Sequence, residues 1–356
     1  MDIQVETLAE LPADVLVAAL PDFLAGHIVH EQARSAAADA ARACTQGWSE
    51  ADAVSVRDHI VALGQDIAVY PAHPLLPSLS RRWMQVLFTG VRVEGLEHLD
   101  AARDAGPVVI IGNHLSYVDT QATDAALAAV GRADLADRLV TVAGPKVYAS
   151  LFRRFAAGCL STLPVPQSGA VSDTDLPPRE LARRAIQSLK LGHSLCEAGD
   201  VLQIYPEGTR TRTGRMGPFL KGVHRYVNQP GCRIVPMAHV GTDAMYPLGA
   251  DELHPAPYEI RYLPPIAVDE AGGSRQALVA AWHAIAEALQ GDSDEVLVVG
   301  HSSGAHLAVS ILSDLIRQGR VPERGPRLAL DAGHPEGQVP FILRRKVPVA
   351  LEVALG

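Results

Sequence analysis

The spacing of apolar and polar positions changes character along this chain near residue 81. Before it, apolar residues recur at helical intervals in Ala-rich stretches, so residues 1–80 are expected to be helical. "DFLAGHIVHEQARSAAADAARACTQ" reads as one helical stretch. "SEADAVSVRDHIVALGQDI" reads as another that opens at Ser49 with Asp52 three residues on, the spacing of a capping box. "YPAHPLLPSLS" (70–80) carries three prolines and reads as a linker. From Arg81 short strand-like runs take over: "GVRVEGLEHL", "GPVVIIGN", "DVLQIYPEG", "CRIVPMAHVG", and "YEIRYLPPIAV", which should stop at its paired prolines. Between them "RELARRAIQSLKLGHSLCEAG" (179–199) is a helix expected to bury Leu181, Ala185 and Leu189, with Ile186 flanking. "PQSGAVSDTDLPPRE" (166–180) is the most loop-like insertion. Strands alternating with helices predict an α/β domain.

Composition narrows the field. At 356 residues, 48% hydrophobic and 20% charged, the chain is long and apolar enough to bury a sizeable core. A net charge of −9 gives no support for nucleic-acid binding. Cys44, Cys159, Cys196 and Cys232 lie far apart without CxxC spacing, against a zinc site or a disulfide framework and in keeping with a reducing compartment. The acidic "MDIQVETLAELPADV" has no basic n-region, and no apolar run reaches the roughly 18 residues of a membrane span. The expectation is a soluble or peripheral, cytoplasmic protein.

Two stretches carry chemistry, each following a strand. In "IGNHLSYVDTQ", His114 and Asp119 stand at a strand-to-helix seam. In a regular helix an i, i+5 pair sits about 140° apart, so the two meet only if His114 lies in the loop and Asp119 in the first helical turn. There the carboxylate would orient the imidazole for general-base work. The competing reading is structural, because Ser116-x-x-Asp119 is itself a capping box. In "YPEGTRTRTG", Gly208 permits a tight turn, Thr209 and Thr211 offer hydroxyls, and Arg210 and Arg212 offer forked donors suited to phosphate, with Arg215 and Lys221 nearby. The competing reading is a solvated turn.

Taken together, "NHLSYVD", "EGTR" at 207–210 and "IVPM" at 234–237 resemble the glycerophospholipid acyltransferase family, the PlsC-like lysophosphatidic acid acyltransferases. The resemblance covers roughly residues 81–290. It implies a mixed central sheet flanked by helices, preceded by the helical region 1–80. It also implies an acyl thioester donor, acyl-coenzyme A or acyl carrier protein, and a phosphorylated lipid precursor as acceptor, met at a membrane surface. His114 and Asp119 would be catalytic, while Glu207, Gly208, Thr209, Arg210 and Arg212 would hold the acceptor. No cofactor and no metal are called for, since the thioester is already activated. One departure stands out: the family often has Arg in a segment where "STLPVPQSG" places Gln167.

Residues 291–356 raise a rival. "DEVLVVGHSSGAHLAVSILSDLI" sets Gly300-His301-Ser302-Ser303-Gly304 between a strand and a helix, resembling an α/β-hydrolase nucleophile elbow. Ser302 would then be a serine-hydrolase nucleophile. Asp331 and His334 follow in the right order but only three residues apart, so the segment reads as an appended hydrolase fragment with Ser302 vestigial. A third alternative is an inactive lipid-binding module. His193, His224, His239 and His254 show no ligand spacing and read as ordinary histidines. Arg153 and Arg154, between Phe152 and Phe155, suit either lipid head groups or a solvated helix face.

Overall fold

The computed structural model describes residues 9–64, 66–166 and 177–290, and the backbone of 295–301 and 338–344. Met1–Trp282 form one compact unit and His283–Gly356 a second. In the second, β9 (Glu295–His301) and β10 (Gln338–Arg344) pair antiparallel.

The first unit begins with four helices: α1 (Ala13–Gly26), α2 (Glu31–Thr45), α3 (Glu50–Ala62) and α4 (Leu76–Gln85). The first Ala-rich stretch is thus two helices and not one. At the break Ile28 pairs with Leu253, and His30 caps α2 by accepting from the Ala33 N–H. Small residues at i, i+4 and i+8 (Ala33, Ala37 and Ala41) form the buried stripe of α2. Ser49 and Asp52 make the expected capping box on α3.

The proline-rich stretch is no linker. Tyr70 and Thr162 exchange backbone hydrogen bonds of 2.9 and 2.8 Å, and α4 starts at Leu76. Pro77 sits in its first turn, where a missing N–H costs nothing. Leu76 and Leu79 are fully buried in the same apolar cluster as strand residues Val108, Ile110 and Val235. Arg81 of α4 then grips two carboxylates. Its Nε and Nη2 donate to Asp124 at 2.9 Å each, and Nη2 also to Asp137 at 2.6 Å.

The sheet has eight strands, β1 (Phe88–Glu94), β2 (Val108–Gly112), β3 (Leu139–Ala143), β4 (Ser161–Pro164), β5 (Val201–Ile204), β6 (Arg233–Val240), β7 (Ala256–Tyr262) and β8 (Ile266–Ala267), in the order β1-β7-β6-β2-β5-β3-β4 with β8 paired to β6. The helices between them are α5 (Leu96–Ala105), α6 (Asp119–Ala129), α7 (Ala133–Ala136), α8 (Leu151–Gly158), α9 (Pro178–Glu197), α10 (Thr242–Met245) and α11 (Ser274–Gln290). The sheet is mixed: β7 and β8 run antiparallel to β6, and every other pairing is parallel. β2 (Val108–Gly112) is buried throughout, as a near-continuous apolar run requires at the centre of a parallel sheet. It lies between β5 (Val201–Ile204) and β6 (Arg233–Val240), both parallel to it. All three strands therefore deliver their following loops to one edge, the carboxyl edge where α/β folds build sites.

α9 buries a different line from the one expected. Ser188, Gly192 and Cys196 are buried, while Leu181, Ala185 and Leu189 are only half-buried and Ile186 is exposed. A Cβ at Gly192 would lie 3.1 Å from Leu202 and Tyr226, so the helix presents its smallest residues where it approaches β5 most closely.

Candidate active site

His114 lies in the loop after β2, and Asp119 opens α6. Each oxygen of Asp119 accepts two hydrogen bonds. Oδ1 takes the Ser116 N–H (2.9 Å) and the Thr242 hydroxyl (2.6 Å); Oδ2 takes the Leu115 N–H (2.8 Å) and His114 Nδ1 (2.7 Å). Burial alone would push this carboxyl up, but the His239 and His114 imidazoles and the Thr242 hydroxyl outweigh it and hold Asp119 below the usual carboxylate range. An ionised carboxylate can only accept, so the proton between the pair sits on Nδ1 of His114 and leaves Nε2 as the lone-pair nitrogen. The two side chains differ in access, 17% exposed for His114 and 1% for Asp119, so the imidazole can be reached from outside and the carboxylate cannot. The Tyr205 ring stacks on the imidazole at 4.8 Å.

Ser116 does not cap α6. Its hydroxyl donates to the Tyr246 carbonyl at 2.8 Å, and only the Asp119 half of the box is made. The carboxylate that sequence offers as a cap is thus shared with the imidazole.

The "EGTR" turn is fastened to the same loop. Glu207, buried and with its carboxyl pushed up by that burial, accepts from the His114 N–H at 2.8 Å and from the Gly217 N–H at 2.6 Å. The Thr211 N–H donates to the His114 carbonyl at 2.8 Å. Both backbone polar groups of His114 are therefore held by the turn. Gly208 has φ +68°, a left-handed conformation that favours glycine. Thr209 is exposed at its tip. Arg210 folds back so that its guanidinium lies 3.7 Å over the Tyr117 ring. Arg212 is exposed. Glu207 thus shapes the site and Arg210 faces it, while Arg212 stays on the solvent side.

Two further residues belong here. His239, at the end of β6, locks Asn113. The two exchange N–H and carbonyl bonds through the Asn113 amide at 3.0 Å, and His239 Nε2 donates to the Asn113 carbonyl at 2.6 Å. Burial drives its imidazole below the ordinary histidine value despite Asp119 3.8 Å away. Thr242 follows Gly241, which has φ +107° and where a Cβ would lie only 2.0 Å from the Pro257 carbonyl oxygen, so the position admits no side chain. The "IVPM" block pointed to this strand but not to its last residues. Nothing in the sequence marks Thr242, which meets Asp119 from 123 positions away.

Arg154 is not on a solvated face. It donates to the carbonyls of Ile60, Val61 and Leu63 at the end of α3 and to that of Tyr148. Arg153 instead lies 4.8 Å from the Tyr117 ring. His193, His224 and His254 lie away from these contacts, His193 bonding the Arg225 carbonyl. Gln167, Ser302, Asp331 and His334 lie outside the described residues.

Residues 90–240, which hold the arrangement apart from Gly241, Thr242 and Tyr246, match the family model described as Acyltransferase. Over this span the chain is similar to that family. Similar proteins include the 1-acyl-sn-glycerol-3-phosphate acyltransferases of Limnanthes douglasii, 40% identical over 87 residues, and of Cocos nucifera, 37% identical over 87 residues. The chloroplastic LPAT1 of Arabidopsis thaliana is 26% identical over 164 residues. These matches cover 24%, 24% and 46% of this chain, and the chain spans only 31%, 28% and 40% of the relatives. The crystal structure of the 1-acyl-sn-glycerophosphate acyltransferase PlsC from Thermotoga maritima aligns at a TM-score of 0.44 with 16% identity, over 60% of this chain and 77% of that one.

The Asp119 carboxylate makes a pH prediction. A carboxyl held below its ordinary value contributes stability that is complete above that value, 3.8, and is lost as pH falls through the lower folded one. Thr242→Val removes one of the four donors. Chemical denaturation should show it less stable than wild type by about 1.5–3 kcal/mol at neutral pH, the worth of a hydrogen bond to a charged group. The deficit should shrink as pH falls through that lower folded value, and a pH-independent deficit would mean that the hydroxyl serves packing alone.

Proposed function

We propose that this protein transfers a fatty acyl group from an acyl thioester, acyl-coenzyme A or acyl carrier protein, to the hydroxyl of a glycerol-phosphate lipid precursor. 1-Acylglycerol-3-phosphate is favoured over glycerol 3-phosphate because the similar proteins are named for it. The observation that carries the reading is the Asp119 carboxylate with four donors, which fixes the His114 proton on Nδ1 and leaves Nε2 for the acceptor. In the reaction, the acceptor O–H gives its proton to Nε2 as its oxygen attacks the thioester carbon. The C–S bond then breaks, and the imidazolium returns the proton to the leaving thiolate. Asp119 stabilises that imidazolium, as the aspartate does in serine-protease triads. Glu207 holds the His114 backbone so that the ring meets the acceptor in one geometry. Arg210 binds the acceptor's phosphate.

The acceptor is a lipid, so the enzyme works at a membrane surface as a peripheral protein. Among the described residues no helix is long and apolar enough to cross a membrane.

Kinetics on both substrates test the phosphate assignment. Arg210→Ala should raise KM for 1-acylglycerol-3-phosphate about 10–100-fold and leave KM for the thioester within about twofold, since the lost contact is a charged hydrogen-bonded pair. Arg210→Lys should also be impaired, because a point charge does not replace the fork. Arg212→Ala should change either constant by less than about threefold. An equal loss toward both substrates in Arg210→Ala would remove the dedicated phosphate role.

A further inference from the structure

One aromatic ring carries two guanidiniums. Arg210, from the turn after β5, lies 3.7 Å over Tyr117, and Arg153, from α8, lies 4.8 Å from the same ring centroid. The two cations are thus no farther apart than the sum of those distances, and both are half-buried. Tyr117 sits within the loop that runs from His114 to Asp119, three residues from the base. Both guanidiniums also act on the Tyr246 hydroxyl, whose backbone carbonyl receives Ser116.

Arg42, Arg57, Arg81, Arg132 and Arg261 each hold an aspartate or glutamate. Among the described residues neither Arg153 nor Arg210 has such a partner. Arg153 instead donates Nε to the Ser150 hydroxyl at 2.9 Å, which fixes its plane. Two like charges gathered half-buried on one ring repel each other, and in a chain of net charge −9 there is no shortage of carboxylates to neutralise them. Such a pair is suited to a dianion, and the two planar forks match the oxygens of a phosphate monoester.

We infer that Arg153 is a second phosphate-binding residue of the acceptor site, and that Tyr117 is the platform positioning Arg153 and Arg210 around one phosphate monoester. The inference rests on the acyl-transfer reading for the name of the acceptor, and on the Tyr117 geometry for the clamp. The clamp selects a monoester headgroup beside the attacking hydroxyl and gives no purchase to an unphosphorylated one. Arg153 and Tyr117 act on acceptor binding, while the proton transfer stays with His114.

The test is direct calorimetric titration of the full-length protein, scored separately from turnover. The probes are hexanoyl-glycerol-3-phosphate, hexanoylglycerol, coenzyme A and dephospho-coenzyme A. Wild type should bind the phosphorylated glycerolipid more tightly than hexanoylglycerol. Arg153→Ala should weaken that binding about tenfold, the worth of roughly one hydrogen bond to a charged group at 1.4 kcal/mol per factor of ten. Its affinities for hexanoylglycerol, coenzyme A and dephospho-coenzyme A should stay within twofold. Arg153→Lys should also lose affinity, guarding against a folding defect in the alanine variant. Tyr117→Leu should weaken binding severalfold, and Tyr117→Phe should recover most of that loss, because the ring and not the hydroxyl is the platform. A lipid affinity unchanged in Arg153→Ala, a wild type that binds both glycerolipids alike, or a loss falling on coenzyme A but not on its dephospho form would overturn the clamp. Binding that behaves as expected without any acyl transfer would leave the clamp standing and remove the acyltransferase reading instead.

Discussion

Replacing His114 by alanine is expected to lower the turnover number for acyl transfer by about 10²–10⁴-fold, the range for loss of a positioned general base. The fold should survive. The imidazole side chain is partly exposed, and Asp119 keeps its bonds from Leu115, Ser116 and Thr242. Thermal unfolding should change by no more than one hydrogen bond's worth, about 1–3 kcal/mol. Asp119→Asn should be nearly as damaging to turnover. An amide in that pocket turns an N–H donor toward at least one of four donors. If it faces His114, the ring must carry its proton on Nε2, where the base is needed as a lone pair. Both variants should retain acceptor binding. A near-normal turnover number in His114→Ala, with the product verified, would remove the base assignment.

Arg81→Ala should be the most destabilising single change among the ion pairs, by about 3–5 kcal/mol in urea or guanidinium unfolding. The side chains are 14% and 3% exposed for Arg81 and Asp124, so the alanine variant strands a carboxylate with little water to solvate it. Burial already pushes the Asp124 carboxyl up even with Arg81 against it. A carboxyl whose folded value is raised costs stability once pH exceeds its ordinary value, 3.8, because the unfolded chain then ionises first. Without Arg81 that rise is larger. The deficit should therefore be greatest at neutral pH and shrink as pH is lowered toward 4. Arg81→Met with Asp124→Leu should recover most of the loss, since replacing both partners leaves no buried charge. The pair also joins α4 to α6, the helix that Asp119 opens, so Arg81→Ala should lose activity at a lower temperature than wild type. A loss under about 1 kcal/mol would mean that the pair is solvated in the folded state.

The parts of this molecule legible in sequence are those whose chemistry is local. His114 and Asp119 are five residues apart at the end of an apolar run, so their meeting follows from one strand and one helical turn. Gly208 and Arg210 announce a turn by residue type alone. His239 and Thr242 come from the pairing of β2 with β6, whose register sets Gly112 opposite Met237 and brings Asn113 beside His239. Neither has a local signature, since a histidine ending a buried strand looks like any core histidine. The proline-rich stretch is ambiguous for a physical reason: Pro77 is a helix breaker in mid-helix and harmless in a first turn, and only the packing of Leu76 and Leu79 decides which it is. The buried line of α9 is not legible from apolarity, because a close helix–sheet approach selects small residues such as Ser188 and Gly192 over large apolar ones.

The most direct test of acyl transfer by His114 is to incubate the purified protein with radiolabelled acyl-coenzyme A and 1-acylglycerol-3-phosphate and to identify the labelled product. The expected result is a diacylglycerol phosphate formed with one free thiol per acyl group, abolished in His114→Ala and unchanged in Ser302→Ala. Release of free fatty acid with no labelled lipid, retained in His114→Ala and lost in Ser302→Ala, would contradict it and make the protein a serine hydrolase.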